Sequence, residues 1–309
     1  MSFIVREPGM MTLLVDGGRL RTRSLGMPVG GAADRGAISF GNALVGNPRS
    51  TLALEITLSG PTLEATQPVA GVVFGAPFRI LINGAPATFG TTFTIEAGQV
   101  LRIGGTPTNV RGYYCVAGGF QASEILGSCS GFEPIRTGNL IHCRSSRTEP
   151  RSLPFHTSIE EVSTLPISLR VVAGPQWDWF ADESFFSQVY EVTPASNRMG
   201  VRLKGAPIPR RSGELTSEAV APGAVQITND GQPIVLGVDG QTIGGYPKIA
   251  HVIRADLDRI AQLRPGDRFR FVCVSLEEAE IAARERREYL KEWIVRLGSA
   301  DRQPAFLSK

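Results

Sequence analysis

The chain has 309 residues, 42% of them hydrophobic and 20% charged, with a net charge of +3. This length provides two ordinary domains or one large one, and either can bury a sizeable core without disulfides or metal ions. The charge is spread without a long basic run, which argues against nucleic acid as a partner. No apolar run approaches the ~20 residues that a membrane span needs, which argues against a membrane protein.

The composition favours a mainly β protein. Its 35 glycines and 21 prolines suit many strands with tight turns better than long helices. The four cysteines form no C-x-x-C pair, and the chain opens without a basic and then apolar leader, so we expect a reduced, cytoplasmic protein. Cys129 and Cys143 could share a metal with His142, but the spacing lacks a second tight pair, so buried thiols are the favoured interpretation.

Residues 1–150 are predicted to form an N-terminal domain built mainly of β-strands. Short β-type runs alternate there with Gly, Pro and Asn turns. One helix interrupts the strands, with Asp34 as its N-cap and with Gly46 and Pro48 ending it. The tract 151–166 is polar, contains prolines and has neither strand nor helix periodicity, so it is predicted to be a linker.

Residues 167–309 are predicted to form a C-terminal domain built mainly of β-strands, with a terminal helix. Ser275 and Glu278 have the spacing of a capping box, in which each side chain satisfies an amide of the other residue. An apolar stripe then recurs at helical spacing: Leu290, Trp293, Ile294 and Leu297. Packing of this stripe against the chain's own barrel is favoured over binding of a partner.

Several catalytic motifs are absent from the sequence. There is no G-x-x-x-x-G-K-[ST] loop, no dinucleotide fingerprint, no H-E-x-x-H and no G-x-S-x-G. Four polar, glycine-rich stretches remain, and glycines there can leave main-chain amides open to hold an oxyanion. These stretches are Val15 to Asn47, Gly174 to Phe180, Ser196 to Gly205, and Val238 to Val252.

The ordered motifs in these stretches resemble a known family. The C-terminal half contains "RVVAGPQWDWF", "SNRMGVRLKG" and "VDGQTIGGYPKIAHV", and the N-terminal half contains "DGGR", "GMPVGGAADRGAI", "NALVGN" and "LEITLSGPTLE". This order is similar to that of the carboxyltransferase A/B subdomain family. The family includes the C-type subunit of 5-oxoprolinase, allophanate-hydrolase-subunit-2-like proteins, the carboxyltransferase part of urea carboxylase, and an antagonist of a sporulation-kinase inhibitor.

The resemblance implies two cyclophilin-like β-barrel domains with a few short helices and a C-terminal helix. It also implies a cytoplasmic hetero-oligomer with a B-type sister subunit, similar to allophanate hydrolase subunit 1, and leaves room for an A-type subunit as a further partner. Such a complex opens 5-oxoproline to glutamate using ATP with Mg, and this chain alone would bind no cofactor. Two alternatives are a non-catalytic regulator that binds its sister subunit, and a biotin-dependent carboxyltransferase component whose biotin arrives on another protein.

The shared chemistry suggests roles for particular residues. A lactam or urea builds negative charge on its carbonyl oxygen when it reacts, and donors fixed around that oxygen stabilise it. Lys248 and Arg198 offer positive charge, and Asp239 can orient either cation or accept a substrate N–H. We predict these three residues to be catalytic. The predicted substrate-binding residues are Gly244, Gly245, Tyr246, Gln241, Asn197 and Arg19.

Each of these residues also has a structural interpretation. Asp239 and Gln241 can shape a turn, and Tyr246 can plug a barrel. Lys248 can be a solvated strand residue, and Arg198 can brace a barrel end. The sequence departs from the family pattern at Val15 and after Gly131, whereas the C-terminal motifs are complete, so the site is predicted mainly in the C-terminal half.

Overall fold

The structure, a computed structural model, describes residues 2–153, 167–180, 184–211, 213 and 215–299. It confirms a mainly β protein with few helices, a closed barrel and a C-terminal helix. Contacts divide the chain into two units: Met1–Gly18, Asp34–Phe155 and Arg287–Lys309 form the first, and Arg19–Ala33 and His156–Arg286 form the second. The predicted domain 1–150 includes the segment Arg19–Ala33 of the second unit, and the predicted domain 167–309 includes the segment Arg287–Lys309 of the first. Most of the predicted linker lies outside the described residues.

The first unit contains two antiparallel sheets. Its strands are β1 Phe3–Glu7, β2 Met11–Val15, β3 Ala53–Thr57, β4 Thr62–Ala65, β5 Val69–Gly75, β6 Ile80–Ile82, β7 Ala85–Ala87, β8 Phe93–Ile95, β9 Val100–Ile103, β10 Arg111–Val116, β11 Phe120–Gln121 and β12 Leu140–Cys143. The seven-stranded sheet has the order β11-β12-β1-β4-β9-β6-β7, and the five-stranded sheet has the order β2-β3-β10-β5-β8.

Both sheets bury side chains in one core. Tyr114 of β10 lies at its centre, with its ring 5.9 Å from those of Phe3 and Phe120. β5 and β10 are buried along their whole length, which explains why their sequences lack polar alternation. The core therefore joins strands from both ends of the unit's sequence.

Helix α1, Arg35–Leu44, begins as the sequence predicts. The Asp34 carboxylate accepts a hydrogen bond from the Ala37 amide at 2.8 Å, and the Asp34 amide donates to the Tyr113 hydroxyl at 2.8 Å. The Tyr113 hydroxyl donates in turn to the buried Glu55 carboxylate at 2.8 Å. The N-cap is thus held by the core of the first unit as well as by its own helix.

Asp16 of the "DGGR" motif connects this motif to the loop at residues 128–130. Its carboxylate accepts hydrogen bonds from the Gly18 amide, the Ser128 and Ser130 hydroxyls and the Cys129 amide, at 2.6 to 2.8 Å. Burial raises the pKa of Asp16, but these hydrogen bonds outweigh it, and the pKa lies below its ordinary value. The carboxylate therefore organises the two loops in its ionised form.

The second unit is built on a closed barrel. Its strands are β13 Ile167–Ala173, β14 Tyr190–Val192, β15 Gly200–Lys204, β16 Glu218–Ala219, β17 Ala224–Ile227, β18 Pro233–Leu236, β19 Ile243–Gly244, β20 Lys248–Val252 and β21 Arg268–Cys273. The barrel order is β13-β20-β17-β18-β15-β14-β21, and parallel pairing of β13 with β21 closes it. β16 and β19 form a separate two-stranded ladder.

Aromatic side chains fill the barrel. Phe271 of β21 stacks on Phe185 of the short helix α2, Ser184–Ser187, with ring centroids 4.6 Å apart. Tyr190 and Phe269 complete the cluster. A further short helix, α3, Leu257–Ala261, follows β20, and the preceding Asp256 carboxylate holds Arg170 in a bidentate ion pair.

Helix α4, Leu276–Ser299, confirms the predicted capping box. The Ser275 amide donates to the Glu278 carboxylate at 2.7 Å, and the Glu278 amide donates to the Ser275 hydroxyl at 3.1 Å. The predicted apolar stripe is half-buried and belongs to the first unit. There the Tyr289 ring lies 6.4 Å from Phe40 of α1. Contacts therefore assign the stripe to the first unit and not to the unit that contains the C-terminal barrel.

The described part of the chain contains no helix with the length and hydropathy of a membrane span. Its four cysteines are free thiols, of which Cys273 is exposed. Within the same described residues, no three His, Cys, Asp or Glu side chains are placed to share a metal ion, so Cys129, His142 and Cys143 do not form such a group.

Replacement of Asp16 by Asn should destabilise the first unit in a pH-dependent way. The folded pKa of Asp16 is lowered, so its contribution is fully present above the ordinary pKa of about 3.9 and is lost as the pH falls through the folded pKa. We expect a loss of about 2 kcal/mol at pH 7, shrinking below pH 4. Urea unfolding of both proteins across pH 3 to 7 measures the difference, and a constant difference would contradict the role.

Replacement of Phe271 by Ala should destabilise the barrel by about 3–5 kcal/mol, because a buried aromatic ring is lost and a cavity is left. Urea unfolding measures the free energy. The matched control is Val272→Ala, whose side chain lies on the exposed side of the same strand and should change stability by less than about 1 kcal/mol. Equal losses for the two variants would refute the assignment of Phe271 to the core.

Candidate functional site

Arg198 is placed by a tight turn before β15. The Asn197 side-chain oxygen accepts hydrogen bonds from the amides of Met199 and Gly200 at 2.8 and 3.3 Å. The Asn197 amide donates to the Gly200 carbonyl at 3.1 Å, which closes the turn. Asn197, predicted to bind substrate, is therefore engaged through this oxygen in shaping the turn.

The buried Arg198 guanidinium binds Asp239 in a bidentate pair. Its Nε and Nη2 donate to the two carboxylate oxygens at 2.7 and 2.9 Å, and Nη2 also donates to the Gly31 carbonyl at 2.7 Å. The Asp239 side chain is 34% exposed, so one end of the pair reaches solvent. Asp239 thus orients Arg198 rather than Lys248, and Arg198 joins Asp239 to the Gly31 carbonyl.

Arg19 joins this pair through a glycine turn in the segment Arg19–Ala33. The Gly30 amide donates to the Val238 carbonyl at 2.9 Å, and Gly30 and Gly31 have φ values of 61° and 73°. A Cβ at Gly30 would lie 3.6 Å from Arg19 Nη1 and 3.8 Å from Asp239 Oδ1. The structure therefore brings Arg19, Arg198 and Asp239 together, with Arg19 only 2% exposed.

Lys248 begins strand β20 and is held in a second cluster. Its Nζ donates to the Glu218 carboxylate, and its side chain is only 8% exposed. Gln176 connects the two residues. Its Oε1 accepts from the Lys248 amide at 3.0 Å, and its Nε2 donates to Glu218 Oε1 at 2.7 Å. Lys248 is therefore a buried, paired cation and not a solvated strand residue.

Glu218 is the carboxylate of this second cluster. The hydrogen bond from Lys248 lowers the pKa of Glu218, burial opposes this shift, and the hydrogen bond from Gln176 adds to it. Glu218 stands in β16 directly opposite Gly244 of β19. Its side chain is 41% exposed, so the carboxylate is the solvent-accessible end of the pair.

The two predicted glycines have different environments. Gly244 belongs to the ladder with β16, and a Cβ there would lie 2.9 Å from Gln226 Nε2 and 3.5 Å from Gln241 Nε2. Gly245 is exposed and follows the strand. Neither glycine has a positive φ. The lack of a side chain at Gly244 therefore leaves room for the side-chain amides of Gln226 and Gln241. Gly245 lies just after the two-stranded ladder.

Tyr246 and Gln241 occupy the surface. Tyr246 is 38% exposed, which excludes the role of a barrel plug. It lines an open groove of ≈ 540 Å³ together with Arg202 and Lys204 of β15. Gln241 is exposed, and its main-chain oxygen accepts from Arg23 Nη2 at 3.3 Å. The Tyr246 carbonyl accepts from Gln226 Nε2 at 3.4 Å, and Gln226 is the cross-strand partner of Lys248.

The structure sorts the predicted residues into two clusters. One contains Arg19, Arg198 and Asp239, and the other contains Lys248 with Gly244. The sequence analysis missed Glu218 and Gln176, which complete the second cluster. Gln176 lies in the "GPQWDWF" stretch, which did signal a polar site. Glu218 lies in "LTSEAVAPG", which carries no comparable signal.

Comparison with known proteins identifies the family. A family model described as carboxyltransferase domain, subdomain A and B, matches residues 25–273. The chain is 34% identical to the C-type subunit of 5-oxoprolinase from Haemophilus influenzae over 90% of this chain and 93% of that protein. It is also 34% identical to the corresponding 5-oxoprolinase subunit of Escherichia coli, over 94% of this chain and 96% of that protein.

A solved structure extends the comparison. The crystal structure of Kluyveromyces lactis urea carboxylase matches 94% of this chain with a TM-score of 0.84 and 27% identity. The match covers 29% of the urea carboxylase chain. The chain spans about half or less of the length of such solved chains. The similarity therefore covers only one part of the longer urea carboxylase chain.

Replacement of Asp239 by Asn should destabilise the second unit. The buried Arg198 guanidinium would lose its counter-charge, which costs about 2 kcal/mol or more. Urea unfolding measures this cost. Asp178→Asn is the matched control, because Asp178 is exposed and should change stability by less than about 0.5 kcal/mol. If both variants unfold like the wild type, the pair does not brace the site.

Proposed function

Since the chain belongs to the family of the carboxyltransferase domain, subdomain A and B, we propose that it is a subunit of an ATP-dependent 5-oxoprolinase-type hydrolase. The complex would open a small lactam or amide, converting 5-oxoproline to glutamate. The observation that carries this proposal is the similarity to the C-type subunit of 5-oxoprolinase, which extends over nearly the full length of both chains.

The second cluster offers the chemistry that lactam opening requires. Attack on a lactam carbonyl places negative charge on its oxygen, and a preorganised cation stabilises that charge. Lys248 is such a cation, because Glu218 and Gln176 fix its position. The Gly245 amide supplies a further main-chain donor nearby in sequence. Arg198, held by Asp239, maintains the shape of the adjoining segment.

ATP and Mg are assigned to the assembled complex and not to this chain. The sequence lacks the phosphate-binding loop and the dinucleotide fingerprint. The proposed partners are a B-type sister subunit and an A-type subunit, in a cytoplasmic hetero-oligomer. This chain would contribute the surface on which the lactam is polarised.

Carboxyl transfer from biotin is the second candidate function. The structural likeness to urea carboxylase favours it, since urea and lactams share an unreactive amide carbonyl. The biotin would have to arrive on a separate protein, because the chain lacks a Met-Lys-Met sequence. Purification with a biotinylated carrier from the neighbouring genes would favour this function over lactam hydrolysis.

The proposal predicts that the purified chain alone is inactive. Mixed with its B-type and A-type partners, ATP, Mg and 5-oxoproline, it should release glutamate and phosphate. Lys248→Met should lower kcat/KM by about 10²–10³-fold, because one donor to the developing oxyanion is lost. Coupled assays for glutamate and phosphate measure both quantities.

The matched control is Lys204→Met, which removes an exposed lysine from β15 of the same barrel. It should leave turnover within about twofold of the wild type. Circular dichroism of both variants separates a loss of turnover from a loss of folding. Failure of the wild-type mixture to form glutamate, with all three subunits folded, would reject the 5-oxoprolinase function.

A further inference from the structure

The two carboxylates of the site differ in how many of their oxygen atoms accept a hydrogen bond. Both oxygens of Asp239 are held by Arg198. In Glu218, by contrast, Oε1 accepts from both Lys248 Nζ and Gln176 Nε2. The part of the chain that the structure describes places no hydrogen-bond donor on Glu218 Oε2. Glu218 therefore has one oxygen without a donor among the described residues, whereas each oxygen of Asp239 already accepts from Arg198.

The open oxygen has a defined position. The main chain of Glu218 is fixed by its pairing with Gly244, and the side chain is fixed by two donors on the other oxygen. The missing side chain at Gly244 admits the amide groups of Gln226 and Gln241 beside the ladder. The accessible carboxylate is thus held by two fixed polar groups, Lys248 and Gln176, as expected for a preorganised site.

Lys248 places a donor next to this acceptor. An ammonium group has three N–H donors, and Glu218 Oε1 occupies one of them. Glu218 Oε2 and Lys248 Nζ therefore present an acceptor and a donor side by side. This pattern complements a molecule whose own donor and acceptor lie on one edge.

A lactam has such an edge. Its ring holds the amide in the cis form, so the N–H and the C=O point to the same side. Urea presents the same arrangement, whereas the N–H and C=O of a trans secondary amide point in opposite directions. A protein site that binds the N–H and the C=O on one side therefore distinguishes cyclic amides and urea from ordinary peptides.

We propose that Glu218 and Lys248 form the recognition edge for a cis amide, with Glu218 Oε2 accepting the substrate N–H and Lys248 donating to its carbonyl oxygen. This inference rests on the proposed function, of which it specifies the substrate class. Gln176 is then a positioning residue, because it holds Glu218 and the Lys248 main chain together. Glu218 selects the substrate by requiring a free N–H.

The test compares 5-oxoproline with N-methyl-5-oxoproline, which differs by loss of the N–H. Binding to the assembled complex without ATP is measured by calorimetry. We expect the N-methyl compound to bind the wild type at least about tenfold more weakly, because it leaves Glu218 Oε2 unpaired and adds a methyl group there. N-acetylglycine, a trans amide with a carboxylate, should also bind at least about tenfold more weakly.

The variant Glu218→Gln replaces the acceptor oxygen of the recognition edge with a donor. Its Oε1 can still accept from Lys248 and Gln176, so its Nε2 occupies the position of the open oxygen and presents a donor to the substrate N–H. We expect 5-oxoproline to bind about tenfold or more weakly, and its advantage over the N-methyl compound to fall to within about threefold. Glu191→Gln, an exposed carboxylate of β14, is the matched control and should retain the wild-type discrimination.

The outcomes separate the two proposals. Equal binding of 5-oxoproline and its N-methyl derivative by the wild type, or binding of neither, would overturn the recognition edge. Full discrimination in Glu218→Gln would overturn it as well. Binding with the expected discrimination but without turnover in the presence of ATP would overturn the hydrolase function and leave the recognition edge supported.

Discussion

Burial of positive charge is the constraint on which this site depends. Lys248 and Arg198 are both almost fully removed from water, and a buried cation is tolerated only when a carboxylate and further hydrogen bonds compensate its lost hydration. Each cation has a different carboxylate, Glu218 or Asp239. In both pairs the carboxylate is the more exposed partner. The site therefore shows solvent a negatively charged surface backed by fixed positive charge.

The closed barrel supplies the rigidity that these pairs require. Lys248 begins a barrel strand, Arg198 precedes another, and a closed sheet has no free edge along which either strand could shift. The short β16–β19 ladder positions Glu218 beside Lys248. Gln176, which follows β13, ties the main chain of β20 to the same carboxylate. Groups fixed in this way need little reorganisation when a ligand binds.

The sequence predicted those features that depend on local pattern. The N-cap Asp34 and the Ser275–Glu278 capping box follow from spacing along the chain, and both are present. The family resemblance also identified Arg198, Asp239 and Lys248 as polar residues of interest. It left open which of the two cations Asp239 orients, and it did not identify Glu218, which meets Lys248 across 30 residues from a segment without periodicity. Pairing across such separations depends on the register of strands, which local pattern does not specify.

The segment Arg19–Ala33 carries an implication for how such proteins diversify. It precedes most of the first unit in sequence, yet its Gly31 carbonyl is one of the acceptors of Arg198, and its Gly30 amide binds Val238. A gene fragment encoding only the C-terminal half would lack these groups. The second unit is therefore assembled from two separate stretches of the sequence. Recombination that exchanged one half between paralogues would have to carry a compatible Arg19–Ala33 segment with it. This requirement favours inheritance of the whole gene as one block.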